Sequence, residues 1–198
     1  MNSFEIFLLD SGFSWTASKL VPYVLFPFLG LIVWLFLRRR IKTGWIKYTL
    51  LILLIALPFL GYFLVNPIYE GDFSNNSKTI TLIPELKAKT KQTLVVITIP
   101  GCPFCMQSVE RMKDFKKRNP AVNIEYRVCS SDPGALTAYK EAAGTAFPIV
   151  LAEDMNALGS VAEEAFPAFV LTDGKSGVKW SNDSFGVGAL DEVESKFE

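Results

Sequence analysis

Residues 94–105 read Leu94-Val95-Val96-Ile97-Thr98-Ile99-Pro100-Gly101-Cys102-Pro103-Phe104-Cys105. The first six form a short β-branched run, the composition of a strand buried on both faces. Pro100-Gly101 interrupts it, and a helical period then begins. Cys105, Val109 and Met112 recur at i, i+4 and i+7, until Asn119-Pro120 stops the helix. Both cysteines therefore sit where a buried strand ends and a helix starts. Free N–H groups and the dipole at a helix start favour a thiolate over a thiol. Pro103, in the first turn, gives up no useful donor. Cys105, one turn later, points to the buried face and can close a disulfide back to Cys102. The pattern predicts an exposed nucleophile, Cys102, and a resolving thiol, Cys105, for disulfide exchange.

Downstream, the chain continues to alternate. Strand patterns at 123–128, 147–151, 167–171 and 178–180 are separated by helical patterns at 133–143 and 154–165, and a last helix is expected over 190–197. Such alternation predicts an α/β domain over residues 78–198, a mixed, mostly parallel sheet with helices on both faces. The turn at Asp173-Gly174 adds an antiparallel edge, and about 120 residues suffice for one core. The basic stretch from Arg111 to Arg118 reads as a solvated helix face.

Upstream, the composition changes. Residues 1–70 carry six basic and three acidic side chains, residues 71–198 fourteen and seventeen, so the zero net charge is a cancellation. Residues 20–37 and 48–65 are uncharged apolar runs. At 1.5 Å per helical residue each spans roughly 27 Å, close to the hydrocarbon thickness of a bilayer. Proline at 22, 27 and 58 is better tolerated there than in soluble helices. Gly30 and Gly61 are expected to let the two helices approach closely. Phe13, Trp15 and the apolar segment 4–9 are expected at the membrane interface. Arg38, Arg39, Arg40, Lys42 and Lys47 lie between the runs, which places residues 38–47 in the cytoplasm and both termini outside. The organisation predicted is an extracytoplasmic segment (1–19), two transmembrane helices (20–37 and 48–65) joined by the basic loop, a polar linker (66–77) and the α/β domain. A disulfide would persist in the compartment this domain faces.

The chain has no histidine. Ser-His-Asp and Cys-His nucleophiles, two-histidine zinc helices and histidine-ligated haem are thereby excluded. Beyond the Cys102/Cys105 pair only Cys129 remains, so no zinc ligand set is expected. Cys129 follows the strand at 123–128, on the same rim as Cys102; an auxiliary redox role or a plain half-buried side chain both fit.

The soluble half resembles the thioredoxin-fold thiol–disulfide oxidoreductases, in the membrane-anchored TlpA-like branch linked to extracytoplasmic reduction and cytochrome c maturation. The resemblance covers about residues 78–198. It is carried by Ile80-Thr81-Leu82-Ile83-Pro84-Glu85-Leu86-Lys87, by the Cys102–Cys105 motif, by Phe147-Pro148-Ile149-Val150-Leu151, and by Phe166-Pro167-Ala168-Phe169-Val170-Leu171-Thr172-Asp173-Gly174. It implies an active-site loop of Gly101, Pro103 and Phe104, and a cis-proline facing the cysteines. Pro167 matches that proline, with Pro148 the competitor. By resemblance, the backbone beside Pro167 would bond an extended substrate chain, with Phe166 lining the contact.

Three positions depart from the family pattern. Gly101 stands where many relatives have tryptophan, Val96 where thioredoxins proper keep a buried aspartate, and Ser108 where TlpA-like proteins often keep a glutamate. Glu110 lies too far round the helix to replace that glutamate. With Pro103-Phe104 between the cysteines, and no histidine, one means of stabilising the Cys102 thiolate is missing. The expected function is a membrane-anchored reductase of extracytoplasmic protein cysteines, with no cofactor beyond the cysteine pair and no nucleic-acid partner. A separate membrane donor or acceptor must carry its electrons, because the anchor has no cysteine. Alternatives are an oxidase or isomerase using the same residues, or a Cu(I)-handling module without redox catalysis.

Overall fold

The computed structural model describes residues 2–40, 44–69, 71–87, 89 and 91–197. Lys42, counted in the basic loop, lies outside the described residues, as does Glu70 at the start of the polar stretch. The chain divides into two compact units, Met1–Tyr69 and Glu70–Glu198.

The first unit is helical. A short helix α1 (Ser3–Asp10) opens on a capping box in which Asn2 and Glu5 satisfy each other's backbone. Two long helices follow, α2 (Trp15–Leu37), capped by Ser14, and α3 (Gly44–Val65). Both are long and apolar enough to cross a membrane, and together they suggest an anchor. Large apolar side chains such as Phe36, Leu64 and Val65 face outward, as lipid-facing helices require. At Gly30 the Leu54 and Ile55 backbone leaves no room for a Cβ, so this glycine does permit close packing. Gly61 does not: nothing lies near its Cβ position, because it sits away from the contact. Trp15, expected at an interface, is only 1% exposed. In the same unit α1 packs against α2, and Leu8 and Leu9 are buried as well.

In the second unit, β1 (Lys78–Ile80) and α4 (Pro84–Lys87) precede β2 (Thr93–Thr98), every residue of which is buried. Then come α5 (Pro103–Arg118), β3 (Asn123–Val128), α6 (Leu136–Ala143), β4 (Ile149–Leu151), α7 (Met155–Ala162), β5 (Ala168–Thr172), β6 (Gly177–Ser181) and α8 (Val187–Ser195). The sheet order is β1-β6-β5-β2-β3-β4. It is mixed, as expected, but not mostly parallel. Two joins, β2–β3 and β3–β4, are parallel, while β2–β5, β5–β6 and β1–β6 are antiparallel. The difference begins at β5: the chain re-enters the sheet at the rim where β2 ends and runs back along it, Ala168 opposite Ile97 and Thr172 opposite Thr93.

Two boundaries differ from the sequence pattern for local reasons. Helix α7 stops at Ala162 because Glu163 adopts a left-handed conformation, φ 53°. Residues 71–77, polar enough to read as linker, are instead laid on the domain. The Asp72 and Ser74 carbonyls accept from Val187 and Gly186, and Asn75 accepts from the Trp180 indole at 2.9 Å. Gly186 abuts the Gly71–Asp72 backbone too closely for any side chain.

Helix α4 is held by charge. Glu85 and Arg127 are both buried and pair at 2.8 Å, and Glu85 also accepts from the backbone N–H groups of Glu153 and Asp154. Arg127 further pairs with Glu125, which Lys89 meets at 2.6 Å. Breaking a buried pair on one side strands the other charge. Urea unfolding of Arg127→Met, as full chain in detergent, should show a loss of about 3–5 kcal/mol. Adding Glu85→Gln should recover part of that loss; simple additivity of the two would show that they are not coupled.

Candidate active site

Strand β2 delivers the chain to a turn that Tyr139 pins, its hydroxyl donating to the Ile99 carbonyl at 2.7 Å. Gly101 then takes φ +71°, a conformation disfavoured for side chains larger than glycine's. That is the backbone reason for glycine where the family resemblance predicts tryptophan. Cys102 follows as the N-cap of α5, in an extended conformation, and its Sγ accepts the Cys105 N–H at 3.1 Å. Sulfur thus takes the place usually held by a serine or aspartate oxygen, aimed at the orphan donors of a helix start. Cys102 and Cys105 form a disulfide with Cα atoms 5.2 Å apart. Cys105 is fully buried, whereas Cys102 is partly exposed and Phe104 is 59% exposed. The asymmetry fits one sulfur that meets a substrate and one that resolves.

Among the described residues the single cis peptide bond is Phe166-Pro167. Topology separates the two candidate prolines. Strand β4 runs parallel to β3 and β2, so Pro148 before it lies at the far rim; β5 runs antiparallel, so Pro167 lies at the rim of Cys102. The Phe166 carbonyl stands 3.9 Å from Cys102 Sγ. In the disulfide no S–H exists to donate, so this is a contact that becomes a hydrogen bond only for the thiol.

Behind Cys105 the structure supplies hydroxyls rather than a carboxylate. Ser108, buried, donates to the Cys105 carbonyl at 2.6 Å and lies 2.9 Å from the Tyr126 hydroxyl. Burial pushes the Tyr126 phenol up, so it stays neutral and is no proton acceptor. Glu110 is exposed and pairs with Lys113 at 3.2 Å. The basic face of α5 is only partly solvated, contrary to the expectation from sequence. Arg111 stacks over Phe169 and Phe185 at 5.3 and 5.5 Å and donates to the Phe185 carbonyl, because α5 packs on the sheet over a wider arc than its apolar residues mark. Burial lowers its pKa. Arg118 pairs with Glu194 at 2.8 Å.

Cys129 lies on the rim of Cys102, its N–H donating to the Thr98 carbonyl at 2.8 Å. Its side chain packs against the cluster of Leu82, Leu86, Val95 and Ile97. Burial, and then the Glu85 carboxylate, push this thiol up to about 11. Sequence reading missed Tyr126, beside Ser108, and the buried Lys179 of β6. Alternation in residues 177–181 puts Lys179 opposite the buried Trp180, which predicts solvent; only the covering of both sheet faces buries it.

A family profile described as Thioredoxin matches residues 69–177. The chain belongs to the thioredoxin family. With the paired cysteines in place, this thioredoxin-family protein is an oxidoreductase of the thiol–disulfide class. No curated protein sequence matches it. Similar solved structures include a secreted Mycobacterium tuberculosis disulfide oxidoreductase homologous to E. coli DsbE, at 21% identity over 55% of this chain and 81% of that one, TM-score 0.41. The thioredoxin domain of the thiol-disulfide oxidoreductase BVU-2223 from Bacteroides vulgatus is 16% identical over 66% and 99%, TM-score 0.45. StoA from Bacillus subtilis is 15% identical over 64% and 99%, TM-score 0.37.

The three thiols should separate by reactivity. With its pKa near 11 rather than 9, Cys129 should alkylate about 100-fold more slowly at pH 7 than an ordinary exposed cysteine. Iodoacetamide labelling followed by peptide mass mapping should show its rate still climbing above pH 9; a plateau below that pH would contradict the burial argument.

Proposed function

We propose that the protein is a membrane-anchored reductase of extracytoplasmic protein disulfides, working through Cys102 and Cys105. The observation that carries this reading is the partly exposed Cys102 Sγ at a helix start, with the Phe166 carbonyl 3.9 Å away and buried Cys105 bonded to it. In the reduced protein the Cys102 thiolate attacks a substrate sulfur, forming a mixed disulfide and expelling the other substrate sulfur as a thiolate. Cys105 then loses its proton and attacks Cys102 Sγ. The Cys102–Cys105 disulfide forms, the second substrate thiolate leaves, and two electrons have passed to the substrate. An extended substrate chain lies beside Pro167, donating an N–H to the Phe166 carbonyl while Phe104 and Phe166 present apolar contacts.

The reducing direction is supported by what stands between the cysteines. Strong oxidants owe their potential to a stabilised reduced form. Pro103 has no N–H and Phe104 no polar side chain, so no side chain of the intervening pair joins the Cys105 N–H in stabilising the thiolate. The cysteine pair is itself the redox centre, and no dissociable cofactor is required. A membrane partner of the dithiol type re-reduces it, since the anchor carries no cysteine. Basic loop 38–47 lies in the cytoplasm, and both termini lie outside the inner membrane. Apocytochromes, whose haem-attachment cysteines must be reduced, are the client class that the TlpA-like resemblance implies.

Replacing Cys105 with serine removes the resolving thiol and should accumulate mixed disulfides at Cys102, identifiable by mass in membranes. Apocytochrome adducts would support the maturation reading, and absence of any covalent partner under every redox condition would end the oxidoreductase reading. Sidedness has a separate measurement: a membrane-impermeant maleimide should reach reduced Cys102 in intact spheroplasts, and labelling only after lysis would reverse the topology.

A further inference from the structure

Strand β6 carries a lysine into the interior. Lys179 is 2% exposed; its ammonium donates to the Val161 carbonyl at 2.9 Å and pairs with Glu163 at 3.1 Å. Burying an ammonium is costly, and an apolar side chain of similar length would often serve stability as well or better. What the lysine adds is geometry. Its two acceptors bracket the end of α7: Val161 lies in the last turn, and Glu163 is the C-cap. Helix ends leave carbonyls without intrahelical partners, and Lys179 satisfies one of them. The hydrogen bond and charge of Lys179, joined by Lys78 at 3.5 Å, hold the Glu163 carboxyl below its usual range, so this partner is an anion at neutral pH.

Beyond the tether the chain is short and its backbone unusual. Glu163 and Glu164 adopt φ 53° and 60°, which glycine or asparagine adopt at less cost. One residue, Ala165, then leads to Phe166, whose carbonyl faces Cys102 Sγ. Glu163, Glu164 and Phe166 also line an open groove of about 550 Å³, together with Met155, Gly159 and Ser160 of α7. One end of a four-residue loop is thus anchored by a buried charge, and its other end meets the nucleophile.

We propose that Lys179 is a positioning residue for protein substrates: by holding Val161 and Glu163 it sets the Phe166 carbonyl and the adjoining groove to receive an extended chain at Cys102. The inference rests on the disulfide-exchange reading above. Lys179 touches neither sulfur, so it acts on the seating of a chain and not on sulfur chemistry. Small disulfides, which need no groove, do not sense it.

The test compares two substrates on the full chain in detergent, with dithiothreitol as electron source. Insulin is the protein disulfide and oxidised glutathione the small one. Lys179→Met should raise KM for insulin about tenfold with kcat little changed, and leave glutathione disulfide rates within about twofold. Glu163→Ala, at an exposed side chain, should shift insulin KM the same way by less, and the double variant should do no more than Lys179→Met alone. Insulin and glutathione rates falling together would overturn the proposal, as would an insulin KM unchanged in both single variants. Should Lys179→Met fail to fold, Glu163→Ala decides alone, and an unaltered insulin KM sinks the idea. A wild-type chain that reduces neither substrate would overturn the exchange reading itself, and this inference with it.

Discussion

The antiparallel register of β5 on β2, with Ala168 opposite Ile97, brings together two segments separated by 64 positions in sequence. Strand β2 ends at the rim where α5 begins, and β5 begins at that same rim. Cys102 and Phe166 meet for this reason alone. Both strands are buried along their whole length, so a slip of one residue would turn each core side chain to the wrong face. The hydrophobic core therefore fixes the redox geometry to the precision of a ladder of hydrogen bonds.

Around this rim the charges are arranged by exclusion. Ser108 and Tyr126 stand behind Cys105 as neutral hydroxyls, in a place where a carboxylate would serve as a proton acceptor. Glu85, the buried carboxylate among the described residues of this unit, is committed to Arg127 and to two backbone N–H groups, and it bears on Cys129 instead. Burial first, and Glu85 second, hold Cys129 as a thiol, while Cys102 Sγ sits at a helix start and accepts the Cys105 N–H. One rim thus carries two sulfurs in unlike surroundings, one half-buried against the core and the other set at the backbone donors of a helix start.

Much of this was legible from local pattern. The β-branched run before Pro100 and the helical period after Cys105 are each signals within a few residues. The uncharged runs in the first unit and the arginines between them are equally local. What was not legible depends on faces meeting. Arg111 looks like a solvated base until Phe169 and Phe185 cover it. Residues 71–77 look like a linker until Gly186, Val187 and Trp180 bind them. Gly61 looks like a packing glycine because composition carries no information about which face of a helix meets its neighbour.

The sequence by itself determined the chemistry available: two cysteines one helical turn apart at a strand–helix junction, no histidine, and an apolar front half long enough to cross a bilayer twice. These follow from residue type and period, which are properties of the chain alone. Tertiary structure decided which proline faces the sulfurs, because strand direction is a property of the sheet, and Pro148 and Pro167 have the same local context. It also decided that Ser108 is paired with Tyr126, and that Lys179 is turned inward onto the end of α7. A side chain's alternation names its face of the strand, but only packing determines whether that face meets water or another element.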